Sequence, residues 1–291
     1  MFKRSVISDE ISQDIIRAVE VTASFGLEGI ELRSVFGKNL HELSKAERIK
    51  IYDAVKAKNM VIPCLSTPIF KCQIYDEEEF RENIYILEKS IKIAKEWQTN
   101  MIRGFTFWQN GIFQKLIPTI LEKIRSIIPI LEENKIIMII ESDPNTNANS
   151  TQKLKILLDN INSQWVRAIW DPGNNLYVKE AEKPFPDSYE TLKKYIAHIH
   201  VKDVIRYSQD HVDSCCIGNG EVNWSQIIDR LVVDNYTGFL SLETHYRLNK
   251  KIPQHLLDLP KGYAFSCFGE EASIESLKSW NKIIKNIGFS K

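Results

Sequence analysis

The chain has 291 residues, of which 43% are hydrophobic and 26% are charged, the composition of an ordinary globular protein. Its 38 Lys and Arg residues equal its 38 Asp and Glu residues. A net charge of zero argues against a nucleic-acid-binding protein or a protein of anionic membrane surfaces. No apolar run approaches the roughly 18 residues of a membrane span, no signal peptide is expected, and the five cysteines suggest no disulfide framework. We therefore expect a cytoplasmic protein.

Short β-rich runs recur along the chain, and each is followed by a segment with helical periodicity. Strands that alternate with helices form right-handed crossover units in a parallel sheet. Eight such units predict a (β/α)8 TIM barrel, a fold that typically takes about 250 residues. No linker or repeat divides the chain, so we expect a single domain over residues 1–291. The predicted strands are centred near Val6, Ile30, Ile62, Ile102, Ile139, Ile169, Ile199 and Leu240.

The segments between the strands carry the apolar stripes of amphipathic helices. The first long helix is expected to follow an N-cap at Ser12 and to stop at Gly26. In the helix after the fourth strand, Pro118 is expected at the start and Pro129 at a kink or the end. The last helix is expected to cover residues 274–287. A doubly wound open sheet is the alternative fold, but no glycine follows the first strand to form its phosphate loop.

The fifth to eighth predicted strands carry polar residues at their carboxyl ends, where TIM barrels place their active sites. A lone acid at a strand end commonly caps the next helix, but three acids in one barrel mouth would repel one another. A divalent cation removes that repulsion, and carboxylate and imidazole donors suit Mn²⁺, Mg²⁺, Co²⁺ or Zn²⁺. The residues are Glu141, Asp171 and Glu243 on the fifth, sixth and eighth strands, and His198, His200 and Lys202 on one face of the seventh.

The same strand-end segments resemble those of the xylose-isomerase-like TIM-barrel family of sugar isomerases and epimerases. The resemblance covers nearly the whole chain, and the ordered set of motifs is typical of the family but not of one substrate. The matching segments are 29–33, Glu141, 170–174, 198–203, 218–224 with its G-x-G-x-x-x-W pattern, and 242–245.

The resemblance implies that one divalent metal ion is held by four of these residues. His200 is the implied imidazole ligand, whereas His198 lies one layer deeper and is expected in the core or beside the ligands. Asn174 stands where some relatives have a histidine, and Arg206 matches a position where epimerases of the family contact substrate. The implied metal ligands are Glu141, Asp171, His200 and Glu243, and the predicted substrate contacts are Arg206, His198, Asn174, Trp108 and His245.

The predicted reaction is proton transfer at a carbon between a carbonyl and a hydroxyl group. A divalent ion that bridges both oxygens acidifies this C–H bond by stabilising the enediolate. Two carboxylates on opposite faces of the carbon can remove and return the proton. Glu141 and Glu243 are the predicted acid/base pair, and Lys202 is predicted either to stabilise the enediolate or to pair with Asp171 or Asp203. The predicted function is isomerisation or epimerisation of a small-molecule sugar or keto-sugar, with homo-oligomerisation left open.

Three alternative functions stay open. A metal-dependent dehydratase would use the same ligands to remove water from a cyclic keto-polyol such as an inosose. An apurinic-site endonuclease would need three zinc ions and histidines on early strands, but segments 33–34 and 64–67 contain none. A non-enzymatic role would show metal or sugar binding without turnover.

Charged residues on the early strands have a structural interpretation. Glu31 and Arg103 are expected to form an internal ion pair without a catalytic role. Lys71 and Arg247 are placed to meet a phosphate group, yet the acidic residues at 270–271 already complement the dipole of the last helix. A non-phosphorylated substrate is therefore expected.

Overall fold

A curled parallel sheet forms the centre of the fold, and the computed structural model describes residues 1–208 and 211–288. The strands are β1 (Lys3–Val6), β2 (Ser34–Val35), β3 (Lys38–Asn39), β4 (Leu65–Ile69), β5 (Met101–Gly104), β6 (Ile137–Glu141), β7 (Val166–Trp170), β8 (Ile196–Val201), β9 (Asp203–Ser208), β10 (His211–Cys215) and β11 (Phe239–Leu242). Seven of them pair in parallel in the order β1-β11-β8-β7-β6-β5-β4. The pairs β2-β3 and β9-β10 are antiparallel hairpins outside this sheet.

The barrel closes between β1 and β4 through the segment 29–32, which takes the place of the second predicted strand. This segment pairs through isolated parallel bridges, which are Ile7 with Glu31, Leu32 with Leu65, and Gly29 with Val61. The amide of Glu31 donates to the carbonyl of Val6 at 2.9 Å, and the amide of Ser66 donates to that of Leu32 at 2.8 Å. The architecture is thus the predicted (β/α)8 barrel. The second predicted strand, however, is reduced to these bridges, and the third, β4, begins at Leu65, after its predicted centre at Ile62.

Helices cover the outside of the sheet. They are α1 (Ser8–Ile11), α2 (Ile15–Ser24), α3 (Lys45–Lys56), α4 (Glu77–Glu96), α5 (Phe113–Ser126), α6 (Ile128–Asn134), α7 (Thr151–Ile161), α8 (Tyr189–Leu192), α9 (Trp224–Val233), α10 (Gln254–Asp258), α11 (Gly262–Ser266) and α12 (Gly269–Asn286). Shorter helical turns occupy Leu40–Glu42, Asn174–Tyr177, Pro184–Ser188 and Lys193–Tyr195. Among the helices of the described residues, none is both long and apolar enough to cross a bilayer.

Helix boundaries depart from the sequence predictions at three places. Asp14, not Ser12, caps α2, because its carboxylate accepts a first-turn amide at 2.9 Å while the Ser12 hydroxyl accepts the amide of Asp14 itself. Pro118, which was expected at the start of its helix, lies inside α5. Pro129, which was expected at a kink or an end, lies in the first turn of α6, directly after the break that ends α5. The last helix begins at Gly269, earlier than expected.

Two apolar regions hold the strand ends in place. A large core fills the space between the sheet and its helices, and it contains Ile199 and Val201 of β8, as expected for the face opposite the histidines. A small cluster of Cys64, Ile139 and Ile169 packs separately from that core. Side chains alternate along a strand, so on β6 the side chains of Ile139 and Glu141 lie on one face. The polar strand ends therefore rest on an apolar layer within the barrel.

Candidate active site

We call Glu141, Asp171, His200 and Glu243 the strand-end cluster. Glu141 is the last residue of β6, Asp171 directly follows β7, His200 lies near the end of β8, and Glu243 directly follows β11. One potential ligand atom from each residue lies within 4.8 Å of the others, and each residue is at most 2% exposed. The fold thus brings together the four residues that the sequence predicts as metal ligands, because parallel strands present their carboxyl ends at one rim.

Lys202 lies between two carboxylates of the strand-end cluster. Its Nζ is 2.7 Å from Asp171 Oδ2 and 2.8 Å from Glu243 Oε2, and it donates to Asn174 Oδ1 at 2.9 Å. Asp203 is not its partner, since that carboxylate accepts backbone amides of the chain that follows β8. Burial lowers the pKa of Lys202, but the neighbouring carboxylates outweigh this effect and hold the pKa well above its usual value. The ammonium group therefore stays charged at neutral pH.

Two arginines from the first half of the chain also contact carboxylates of the strand-end cluster. Arg103 Nη1 lies 3.1 Å from Glu141 Oε2 and 3.8 Å from Glu243 Oε1, and Arg33 Nη1 lies 2.8 Å from Glu243 Oε1. The expected ion pair between Glu31 and Arg103 is wrong, because Glu31 instead contacts histidines of β8 while Arg103 extends to the neighbouring strand β6. These guanidinium groups fix the positions of both predicted acid/base residues.

The charged network around the strand-end cluster holds an excess of negative charge. No member of the network is more than 7% exposed. Its carboxylates are Asp9, Glu10, Glu31, Glu141, Asp171 and Glu243, and its permanent cations are Arg33, Arg103, Lys202 and Arg247. Six carboxylates and four cations leave two negative charges uncompensated once His200 has lost its proton, which is the state in which its imidazole could bind a metal ion. Since uncompensated buried charge is costly, a divalent cation would complete this network.

The pKa values of the strand-end cluster reflect the same excess of negative charge. Burial lowers the pKa of His200, but the carboxylates of Glu141, Glu31 and Glu243 outweigh it and hold this pKa well above its usual value. Burial raises the pKa of Asp171 to about 6. Burial also opposes the ionisation of Glu243, yet the cations around it hold its pKa well below the usual range. The cluster therefore carries protons near neutral pH that a metal ion would displace.

The donor set fits one divalent ion. Oε2 of Glu243 is buried and receives no hydrogen bond from the described residues, although Lys202 Nζ is 2.8 Å away. His200 directs Nδ1 toward Glu141 Oε1 at 3.1 Å and Nε2 toward Glu31 Oε1 at 3.3 Å. Nδ1 is thus the nitrogen that would bind the ion, with Nε2–H donated to a carboxylate as in many metal sites. Three carboxylates and one imidazole suit several divalent ions.

A cavity of about 280 Å³ opens beside the strand-end cluster, and two of the predicted substrate contacts line it. Asn174 Nδ2 is 3.3 Å from Glu141 Oε1, so this side chain links the cluster to Lys202. His245 Nε2 lies 3.3 Å from Glu243 Oε1. Burial and nearby cations hold the pKa of His245 well below its usual value, so its ring is neutral at pH 7.

The other three predicted substrate contacts are not among the described residues that line this cavity. His198 is fully buried beneath His200. Trp108 packs beside Lys71, whose Nζ is 5.4 Å from its ring centroid, whereas Phe105 lines the cavity. Arg206 lies on β9, and its guanidinium donates to a backbone carbonyl of the turn at Asn174–Tyr177. Substrate contact by these three residues stays a prediction.

A second charged group lies at the mouth of the cavity and consists of Lys71, Asp143 and Asp258, of which only Lys71 was singled out from the sequence. Lys71 Nζ lies 2.8 Å from Asp143 Oδ2 and donates to the carbonyl of Asp258 at 2.6 Å. Lys71 is therefore compensated within the chain, and Arg247 is likewise directed at backbone carbonyls. Asp143 lies two residues after Glu141, the last residue of β6. Asp258, in contrast, ends α10, which is distant in sequence and which only the fold brings to the cavity.

Solved structures resemble this chain over nearly its whole length. The probable 3-DHS dehydratase AsbF of Bacillus anthracis is 19% identical, with 96% of this chain and 99% of that chain covered and a TM-score of 0.74. The D-psicose 3-epimerase of Clostridium cellulolyticum H10 is 11% identical, with 98% and 99% covered and a TM-score of 0.75. A zinc-bound IOLI protein is 14% identical over 100% of both chains, with a TM-score of 0.75. Identities this low show the fold alone.

No curated protein matches the chain. A family model described as a xylose isomerase-like TIM barrel, however, matches residues 19–266, a range that contains the whole strand-end cluster. The match confirms the family resemblance of the strand-end segments, and the structural neighbours of this fold include sugar epimerases and a dehydratase. The chain therefore belongs to the xylose isomerase-like TIM barrel family.

Proposed function

We propose that this protein is a divalent-metal-dependent isomerase or epimerase of a sugar or keto-sugar. The observation that carries the proposal is the pair of buried carboxylates, Glu141 and Glu243, which line one cavity together with Lys202. A D-psicose 3-epimerase, solved with D-tagatose, is among the structural neighbours and supports a ketose as the substrate class.

The strand-end cluster would hold one divalent ion, with His200 contributing Nδ1. Mn²⁺, Mg²⁺, Co²⁺ and Zn²⁺ are all compatible with its oxygen and nitrogen donors, and zinc is bound in one neighbour. When bound, the ion would supply positive charge that stabilises the negative charge developing on adjacent substrate oxygens. The buried excess of negative charge supports a single divalent ion over a multinuclear site.

Glu141 and Glu243 would remove and return the substrate proton. Arg103 contacts both carboxylates, so one guanidinium holds the pair in a fixed relation. Burial raises the pKa of Glu141, but His200 and Arg103 outweigh it, and both glutamates are ionised and able to accept a proton. Return of the proton to the opposite face epimerises the carbon, and return to the neighbouring carbon isomerises the sugar. The charged Lys202 would stabilise the enediolate formed between these steps.

Solvent deuterium exchange into the α-carbon of a panel of ketoses tests this proposal. Glu141→Gln and Glu243→Gln are each expected to lower the exchange rate by about a hundredfold to ten-thousandfold, as for loss of a general base. Glu122→Gln, an exposed change on α5, is the matched control. Metal content is measured in parallel, because a variant that keeps its metal yet loses exchange has lost the acid/base group. A variant with near-normal exchange would exclude that glutamate from the role.

A metal-dependent dehydratase is the second proposal, because loss of water next to a carbonyl passes through an enolate, and the permanent charge of Lys202 at the cavity wall would stabilise that anion as well. A probable 3-DHS dehydratase among the structural neighbours supports it. Incubation with a cyclic keto-polyol such as an inosose decides between the two reactions. Dehydration produces a conjugated carbonyl with ultraviolet absorbance, whereas epimerisation gives exchange without new absorbance. Single-domain organisation, homo-oligomerisation and a cytoplasmic location stay predictions.

A further inference from the structure

A second recess, which we call the outer cleft, lies beside the cavity of the strand-end cluster. It has a volume of about 500 Å³ and runs between the β9-β10 hairpin and the loop 246–252. Tyr177, His245, Gln254 and Leu257 belong to the walls of both recesses, so the two are contiguous. A molecule bound at the strand-end cluster can therefore extend into the outer cleft.

The inner cavity has room for a small molecule only. Its volume of about 280 Å³ lies at the lower end of the range for small-molecule sites, about 300 to 1,000 Å³. On the side away from the outer cleft, Lys71 Nζ and Asn145 Nδ2 donate to Asp258 at 2.6 and 2.7 Å. The recess next to Arg33 also adjoins this cavity, because Lys71, Phe105 and Asp258 belong to the walls of both. A substrate larger than one sugar ring would therefore extend into an adjoining recess, and the outer cleft, at about 500 Å³, is larger than the recess next to Arg33, at about 300 Å³.

The outer cleft presents exposed apolar side chains from two separate segments. Tyr207 of β9 is 62% exposed and Leu248 of the following loop is 52% exposed, and both line the cleft. The ring of Tyr207 is stacked on His211, with centroids 5.0 Å apart, which restricts its orientation. These two side chains offer the recess an apolar contact surface. An aromatic face with a polar edge suits a sugar ring, which has apolar faces and hydroxyl edges.

Three cations line the outer cleft, namely Arg247, Lys250 and Lys251, and two of them have partners within the chain. Lys251 Nζ is 2.8 Å from Asp213 Oδ2. Arg247 donates to the carbonyl of Tyr246 at 2.7 Å and to that of Cys267 at 3.0 Å. With two of its three cations satisfied internally, the cleft suits an uncharged, hydroxyl-bearing group.

We infer that the outer cleft is a second sugar subsite and that the substrate is a glycosylated keto-sugar. The keto-sugar unit lies at the strand-end cluster, and the glycosyl unit packs against Tyr207 and Leu248. This inference rests on the proposed function for its choice of keto-sugar. Its test measures binding, so that it is decided separately from catalysis.

The test compares dissociation constants by titration calorimetry on the full-length protein supplied with Mn²⁺. The probes are D-fructose and four glucosyl-fructose isomers, namely turanose, maltulose, leucrose and isomaltulose. We expect at least one disaccharide to bind at least tenfold more tightly than D-fructose. Tyr207→Ala is expected to move that ratio toward one, whereas Tyr85→Ala, a change to another half-exposed tyrosine on α4, leaves it unchanged. Because the readout is a ratio, a general loss of folded protein does not imitate the effect.

Equal affinities, a ratio that Tyr207→Ala leaves intact, or no binding of any of these sugars would overturn the inference. Deuterium exchange on the same sugars separates this result from the proposed function. Exchange on D-fructose without a preference for any disaccharide removes the second subsite and leaves the function in place. Tight, Tyr207-dependent binding without exchange or dehydration keeps the subsite and removes the proposed reactions.

Discussion

The strand-end cluster and the layer beneath it contain similar side chains but satisfy their charges differently. We call Glu31, His198 and Ser241 the inner triad. His198 Nε2 is 2.7 Å from Glu31 Oε2 and 3.1 Å from Ser241 Oγ, and the other oxygen of Glu31 accepts a serine hydroxyl. Both carboxylate oxygens of the inner triad are therefore hydrogen-bonded. His198 Nδ1, however, has no hydrogen-bond partner among the described residues. The strand-end cluster differs in charge, because three carboxylates share one imidazole and Glu243 Oε2 is paired with the ammonium of Lys202 at 2.8 Å.

Under the proposed function, the inner triad supports the fold and the strand-end cluster would hold the ion. A buried polar group with partners in the protein contributes to stability, whereas a buried cluster with excess negative charge needs a cation. The two layers meet at His200, whose Nε2 faces Glu31 and whose Nδ1 faces Glu141. Changes in the strand-end cluster should therefore act first on metal binding, and changes in the inner triad should act first on stability.

Removal of the shared imidazole is expected to have the largest effect. His200→Ala should lower the affinity for a divalent ion by at least about a hundredfold, because it deletes the only nitrogen donor of the strand-end cluster. Elemental mass spectrometry of the purified protein should find about one ion per wild-type chain and almost none in the variant. His211→Ala, at an exposed histidine, serves as the control. A variant that keeps a full equivalent would remove His200 from the metal site.

Glu31→Gln tests the link between the two layers. It replaces the anionic acceptor of His200 Nε2–H, and loss of such an oriented partner typically weakens metal binding by about tenfold to a hundredfold. A competition titration with a chromogenic chelator measures the change. Glu190→Gln, at a half-exposed glutamate of α8, is the matched control. Unchanged metal affinity would mean that Glu31 belongs to the inner triad alone.

Metal affinity is expected to rise with pH. In the metal-free protein His200 has a raised pKa and holds a proton at neutral pH, and this proton must leave before Nδ1 can bind. Affinity should therefore fall by about tenfold for each unit that the pH drops below that pKa. The fall should steepen below about pH 6, where Asp171 also takes up a proton. Chelator competition between pH 5.5 and 8 measures the slope, and a flat profile would contradict it.

Ser241→Ala is expected to have the smallest effect and to act on the inner triad alone. It removes the hydroxyl that contacts His198 Nε2 and Ser5 Oγ, so the free energy of unfolding should fall by about 1 kcal/mol. Denaturant titration measures the loss against Ser24→Ala, a change at a hydroxyl that bonds only within its own helix. Metal affinity should stay within about twofold of wild type. A large loss of metal would show that the two layers cannot be separated.

The amino-acid sequence by itself determined the fold class and most of the strand-end cluster. Alternating strand and helix patterns depend on local periodicity, which is why β7 contains its predicted centre at Ile169. The acids and histidines at the ends of neighbouring strands follow from the same periodicity, because parallel strands deliver their carboxyl ends to one rim. Once the strands are predicted, the positions of the residues at their carboxyl ends follow.

The tertiary structure alone decided the partners of those residues. Arg33 meets Glu243 across 210 positions of sequence, and Lys71 meets Asp258 across 187. The reduction of the second strand to single bridges and the joining of the outer cleft to the inner cavity arise in the same way. Side-chain periodicity says which face a residue occupies but not which distant loop covers that face. Charge compensation and cavity shape depend on such distant contacts, and the folded chain sets them.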